Sequence, residues 1–165
     1  MAYTVHGSSS SVIRMAEPRT GLDERTVSIR VFRSPDDYST VYKLWKGAGP
    51  GIQLRRSDEP GEIEKKLTRD PDLFLVAEVG DQIIGSVLGG YDGRRGMVYH
   101  LAVEKEQRER GIGSKLMAAI EERLRSKGCI RCYSLVTQDN HEARQFYEQR
   151  GWKRMELYAY GKDID

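Results

Sequence analysis

The chain has 165 residues, 38% hydrophobic and 32% charged, which suits one domain with a hydrophobic core and a loose end. No apolar run approaches the roughly 20 residues needed to span a bilayer, and residues 1–11 lack the apolar core of a secretory signal. A cytoplasmic protein with no membrane partner is therefore expected. Lys and Arg number 27 against 25 Asp and Glu, a balance too even to argue for nucleic acid.

Residues 1–27 carry serines, Pro18 and Gly21 without an apolar period and read as a flexible extension. Residues 28–32 alternate like a first strand. Ser34-Pro35-Asp36-Asp37 then has the order of a helix start: a cap, a proline and two acids. Tyr38, Val41, Tyr42 and Trp45 recur at helical spacing and predict one apolar face. The glycines at 47, 49 and 51 break that helix, and Ile63 and Leu67 mark a second one ending at Asp70-Pro71.

Residues 73–79 and 82–88 flank Gly80-Asp81 and predict an antiparallel hairpin. A second turn spans 89–96, and 97–103 is another strand. Ile112, Leu116, Ile120 and Leu124 share one face of a helix stopped by Gly128. Residues 130–136 read as a strand, 140–150 as a short helix and 152–160 as a final strand. The order is β-α-α-β-β-β-α-β-α-β: an α/β (α+β) fold with a mixed, mostly antiparallel twisted sheet of about six strands and four helices. Residues 28–165 form its single domain.

Cys129 and Cys132 are the two cysteines, spaced C-x-x-C. No second ligand pair stands at zinc spacing and the pair opens an apolar run, so ordinary burial is expected and no metal.

Residues 98–103 feed Arg108-Glu109-Arg110-Gly111-Ile112-Gly113, a strand running into a Gly-containing turn that opens a helix. Gly111 and Gly113 let backbone N–H groups approach an anion, the helix start adds unpaired donors, and Arg108 and Arg110 supply positive charge. The pattern lacks the third glycine of a dinucleotide fingerprint and the Gly-Lys-Ser/Thr of a P-loop. A second block, Asn140-x-x-Ala143-x-x-Phe146-Tyr147-x-x-x-Gly151-Trp152, follows about thirty residues downstream. By itself it reads as a capped, packed helix with a glycine stop.

Together the two blocks resemble the acetyl-CoA-binding motifs of the GNAT acetyltransferases, Q/R-x-x-G-x-G/A followed by N-x-x-A-x-x-F/Y-Y-x-x-x-G-F. Residues 74–79, Gly89-Gly90-Tyr91-Asp92-Gly93 and Arg110-Gly111-Ile112 are further similar to the bacterial YpeA-type members. The resemblance implies that Arg108, Glu109, Arg110, Gly111, Ile112, Gly113 and Ser114 wrap the pyrophosphate of acetyl-CoA. It also implies that Leu101, Ala102 and Val103 carry the strand lying along the pantetheine arm, that Asn140 hydrogen-bonds the same arm, and that Tyr147 faces the sulfur. Two positions depart from the family: Glu109 stands where Gly or a basic residue is common, and Trp152 where Phe or Tyr is usual.

An acetyl-CoA-dependent N-acetyltransferase acting directly on a primary amine is the function implied. Transfer requires a neutral amine, and a lysine-like amine of pKa about 10.4 is neutral about once in 10³ molecules at pH 7. Tyr147 is the expected acid for the leaving sulfur, and Glu78 and His100 are the candidate bases. Backbone N–H groups near Leu101 are candidates for the oxyanion. Arg55, Arg56, Arg94, Arg95 and Tyr91 are candidates for holding an acceptor that carries a carboxylate. The alternative is a non-catalytic acetyl-CoA-binding sensor or interaction module. A homodimer through the C-terminal edge strand is a further possibility.

Overall fold

The computed structural model describes residues 27–164. Of the extension expected over residues 1–27, residues 1–26 lie outside the described residues, and Val27 is already the first residue of the first strand.

The elements are β1 (Val27–Val31), α1 (Tyr38–Gly47), α2 (Pro60–Arg69), β2 (Phe74–Val79), β3 (Gln82–Tyr91), β4 (Gly96–Val103), α3 (Ile112–Ser126), β5 (Cys132–Ser134) and α4 (His141–Gln149), with short 3-10 turns at Arg56–Asp58 and Lys105–Gln107. The strands form one sheet in chain order. The first three pairings are antiparallel, and β4 with β5 is parallel. The expected mixed α/β architecture with four helices is therefore present, with five strands among the described residues in place of six.

Alternation along β2 divides the core in two. Leu73, Leu75 and Ala77 face α3, packing with Ile112, Leu116, Met117, Ile120 and Leu124. Phe74 and Val76 face α1 and α2, packing with Val41, Trp45 and Ile63. A period of two in the strands thus meets the longer helical period on both faces, which is what covers the sheet. Each fully buried aliphatic or aromatic side chain contributes about 1.5–3 kcal/mol to this arrangement. At Gly89 the sheet has no room for a side chain, because a Cβ would stand 2.8 Å from Ile120.

Two expected elements are corrected. Helix α1 begins at Tyr38 and not at Ser34, because Asp37 turns its carboxylate back onto the Arg33 N–H (2.7 Å) and the Arg30 guanidinium (2.6 Å), holding residues 34–37 as a turn. The expected strand over 152–160 is also absent. Trp152 docks against Tyr147 and donates to Glu121 at 3.0 Å, but Leu157, Tyr158 and Tyr160 are exposed and pair with no strand. Strand β5 is only three residues long, so it offers a partner few hydrogen bonds.

Candidate active site

The sheet opens at one place. Strand β5 meets β4 at Gly96↔Cys132, Met97↔Tyr133 and Val98↔Ser134, and there the pairing stops. Strand β4 continues to Val103, so residues 99–103 line a gap with no β5 residue opposite. The pairing of β4 with β3 is irregular at the same level, between Ser86↔Ala102 and Leu88↔Tyr99. His100 occupies this bulge with a φ of 43°, a left-handed conformation rarely adopted by residues other than glycine.

At the outer end of the gap is the turn leading into α3. Glu109 and Gly111 both have positive φ, 61° and 76°. Gly111 is the N-cap and makes no side-chain cap, while the first turn of α3 carries no acid. The N–H groups of Ile112, Gly113 and Ser114 therefore have no acceptor within the helix, and the dipole of a 15-residue helix adds to them. A Cβ on Gly111 would meet nothing within 4 Å, so the cradle is open, whereas one on Gly113 would lie 3.4 Å from the Phe146 ring. Backbone donors, open space beside Gly111 and the lack of an acid in the first turn of α3 fit a pyrophosphate.

The side chains of this turn are placed differently from expectation. Arg108 donates to the carbonyls of Ala48 (2.9 Å) and Val103 (3.3 Å) and lies 3.7 Å from Glu142. It ties the α1–α2 loop to the end of β4, and its guanidinium is committed there. Arg110 donates to Gln107 at 2.7 Å. Glu109, the departure from the family pattern, is exposed. The cradle's character thus rests on its backbone.

Across the gap, α4 supplies Asn140 and Tyr147. Asn140 caps α4, its Oδ1 accepting from the Ala143 N–H at 3.0 Å. The Ser134 hydroxyl donates to the Tyr147 phenol oxygen at 3.1 Å, at the last rung before the strands part. Burial raises the Tyr147 pKa above its ordinary value; Ser134 opposes this, and Cys132 and Glu121 add to it. The phenol consequently stays protonated across the neutral range.

His100 stands on the opposite face of the sheet. Its Nε2 is 2.7 Å from Oδ1 of Asp58, and the Trp45 ring meets it edge-on with centroids 4.8 Å apart. Trp45 is itself fixed, buried against Phe74 and donating to Ser86 at 3.0 Å. Leu101 and Val103 pack toward α3 with Tyr147, while Ala102 packs toward α1 with Trp45. Strand β4 therefore separates Tyr147 from His100 at the mouth of the gap.

Other sequence candidates fall elsewhere. Glu78 accepts from Arg30 at 2.7 Å on the side of β2 that pairs with β1, so it is held in an ion pair two strands from the gap. Tyr91, at the far end of β3 opposite Gly96, directs its ring toward α3 and gives its carbonyl to Arg69. It does not line a pocket with Arg55 and Arg56. Arg94 and Arg95 share its end of the sheet, in the turn before β4, beside Arg131 and Tyr133. Arg55 and Arg56 are exposed on the turn that carries Asp58.

Sequence reasoning missed Asp58, Trp45 and Ser134. Asp58 lies in a run of charges and looks like surface, although it is 5% exposed. Trp45 was legible only as core, and Ser134 as a polar residue in an apolar strand. The cysteines pack around Gly96, and burial raises the Cys132 thiol above its ordinary value, opposite to what a reactive thiolate needs.

Comparison with known proteins accords with this geometry. Residues 38–152 match the model of the Acetyltransferase (GNAT) family. An acetyltransferase of Pectobacterium atrosepticum is 41% identical over 139 residues, covering 84% of this chain and 96% of the relative. One from Photorhabdus laumondii is 45% identical over 117 residues, covering 69% and 78%. Among solved structures, Ard1 from Thermoplasma volcanium superposes with a TM-score of 0.67 at 27% identity, covering 76% of this chain and 82% of that one. The paiA N-acetyltransferase of Thermoplasma acidophilum, crystallised with coenzyme A, shares the fold with a TM-score of 0.70 at 21% identity, covering 80% and 92%. The gap, the backbone cradle, the family match over the region that contains both and the relatives' close similarity lead to one conclusion: the chain belongs to the GNAT family of acetyltransferases, with acetyl-coenzyme A as its co-substrate.

Proposed function

We propose that the chain is an N-acetyltransferase that moves the acetyl group directly to a primary amine, with Tyr147 as the acid and His100 as the base. The observation that carries this is the placement of the two side chains on opposite faces of β4, where it parts from β5. Residues 109–114 would hold the pyrophosphate through backbone N–H groups, and residues 101–103 and Asn140 would align the arm in the gap. Acetyl-CoA supplies a thioester acetyl group.

The chain's own residues then have separate tasks. His100 accepts the proton that the amine gives up as its nitrogen forms the C–N bond. Tyr147 gives its proton to the sulfur as the C–S bond breaks. The two protons balance, and solvent restores both side chains. By ordinary values, transfer from a phenol near 10 to a thiolate whose acid is near 8.5 is uphill by about 2 kcal/mol, which coupling to bond cleavage can absorb. Glu78, neutralised by Arg30, is the weaker base candidate. Exposed Arg55 and Arg56 suit an acceptor bearing a carboxylate.

Calorimetric titration with acetyl-CoA, run beside free-thiol release with a panel of α-amines and ε-amines, tests the reading. Binding that Gly111→Trp abolishes, with amine-dependent thiol release, is expected. Binding without turnover on any amine would favour a sensor, and no binding would overturn the cradle.

A further inference from the structure

Asp58 has no part in the roles assigned so far, yet it is among the few buried charged residues described. It sits at the end of the 3-10 turn Arg56–Asp58, between two helices, and both its carboxylate oxygens face donors. Oδ2 accepts from the Arg55 N–H at 2.8 Å, and Oδ1 meets His100 Nε2 at 2.7 Å. The Tyr38 phenol donates to the Asp58 carbonyl at 2.9 Å, pinning the turn to α1. An ionised carboxylate accepts and does not donate, so the hydrogen of the His100 contact belongs to Nε2.

We infer that Asp58 is a positioning residue that holds His100 as the Nε2–H tautomer, leaving Nδ1 as the basic atom for the acceptor amine. This rests on the proposed transfer to an amine. The Trp45 ring meets the imidazole edge-on with centroids 4.8 Å apart, and the bulge at His100 presents it on the face away from Tyr147. When the imidazole takes a proton at Nδ1, its Nε2–H keeps the Asp58 contact and the ring keeps its place. Asp58 meets the ring from the turn, and Tyr38 of α1 holds the Asp58 carbonyl. Arg55, Arg56 and Glu59 flank Asp58 at the surface. The same turn displays Arg55 and Arg56, so a carboxylate-bearing acceptor held by them would meet the segment that orients the base.

The test reads the tautomer directly. Long-range nitrogen–proton correlation spectra of the full-length protein at about pH 9, well above the ordinary imidazole value, distinguish protonated from unprotonated ring nitrogens. The chain has three histidines, His6, His100 and His141, and the signals lost in His100→Gln identify His100. The expected spectrum has a protonated Nε2 and an unprotonated Nδ1, with the preference relaxed in Asp58→Ala. A protonated Nδ1 in the unaltered protein overturns the inference, even if Asp58→Ala does not fold.

Kinetics with the amine giving the fastest thiol release provides the second readout. Asp58→Ala should lower kcat about 10- to 100-fold with the KM for acetyl-CoA kept within about twofold, and the double variant should be no slower than His100→Gln. Full activity in His100→Gln removes His100 as the base, and with it the reading on which this rests. An impaired His100→Gln that Asp58→Ala slows further by its full factor leaves the base in place and overturns the role of Asp58.

Discussion

Gly51 and Asn140 touch so closely that a Cβ on Gly51 would collide with the Asn140 side-chain amide nitrogen. The α1–α2 loop thus lies directly on the residue that caps α4, and Arg108 binds the same loop through the Ala48 carbonyl. Gly51→Ala should displace the Asn140 amide and weaken the cap. A stability loss of about 1 kcal/mol is expected, a fall in Tm of a few degrees. Asn140→Ala should cost a similar amount, and the double variant little more than either, since one cap is lost only once. Thermal unfolding of the three variants checks this; full additivity would separate the two residues.

Glu109 occupies a left-handed position, φ 61°, beside the cradle. Such a conformation costs a side-chain-bearing residue about 1–2 kcal/mol. Glu109→Gly relieves that cost but gives back about 0.5–1 kcal/mol as chain entropy in the unfolded state. Stability should therefore rise slightly or stay level. Removal of an exposed negative charge beside the proposed pyrophosphate cradle should tighten acetyl-CoA about twofold to fivefold, an effect that fades in high salt. Calorimetry at two ionic strengths measures both parts.

Tyr147→Phe removes the phenolic hydroxyl and leaves the ring between Phe146 and Trp152. The fold and acetyl-CoA affinity should be kept, while kcat falls about 10²-fold, the ordinary size of a lost general acid. Because burial raises the Tyr147 pKa, the midpoint for loss of its proton in the unaltered enzyme should lie above the phenol's usual 10.0. Steady-state kinetics with titration of the two proteins tests this; a Phe variant of full activity would assign the proton to water.

Asp37 links acid stability to the start of α1. Burial by itself would raise its pKa, but hydrogen bonds from the Arg30 guanidinium and the Arg33 N–H bring it below the usual 3.8. A carboxyl depressed in the folded state adds stability that is complete above its unfolded value and vanishes as pH falls through the folded one. Asp37→Asn should cost about 2 kcal/mol near neutrality, the usual size of hydrogen bonds to a charged group. The gap between the variant and the parent protein should begin to narrow below about pH 4 and close only as pH falls through the lowered folded value. Urea unfolding at pH 7 and pH 3 measures it.

Much of the fold was legible because its signals are local. Helical spacing of Ile112, Leu116, Ile120 and Leu124 and alternation through residues 73–88 reflect which side chains must leave water, and these are the residues found in the two cores. The cradle was legible for the same reason: Gly111 and the helix it opens are neighbours in sequence, and positive φ is a local demand. The strand expected at 152–160 shows the limit, since alternation describes a segment's faces but a strand also needs a partner, and β5 is three residues long.

The site's pairings belong to tertiary structure alone. Nothing in a run of charges distinguishes Asp58, buried against His100, from the exposed arginines beside it. Glu78 and His100 looked alike as polar residues on strands until packing placed Arg30 on one and Asp58 and Trp45 on the other. A side chain's chemistry depends on the charges and solvent around it. Those are set by residues distant in sequence, which only the folded chain brings together.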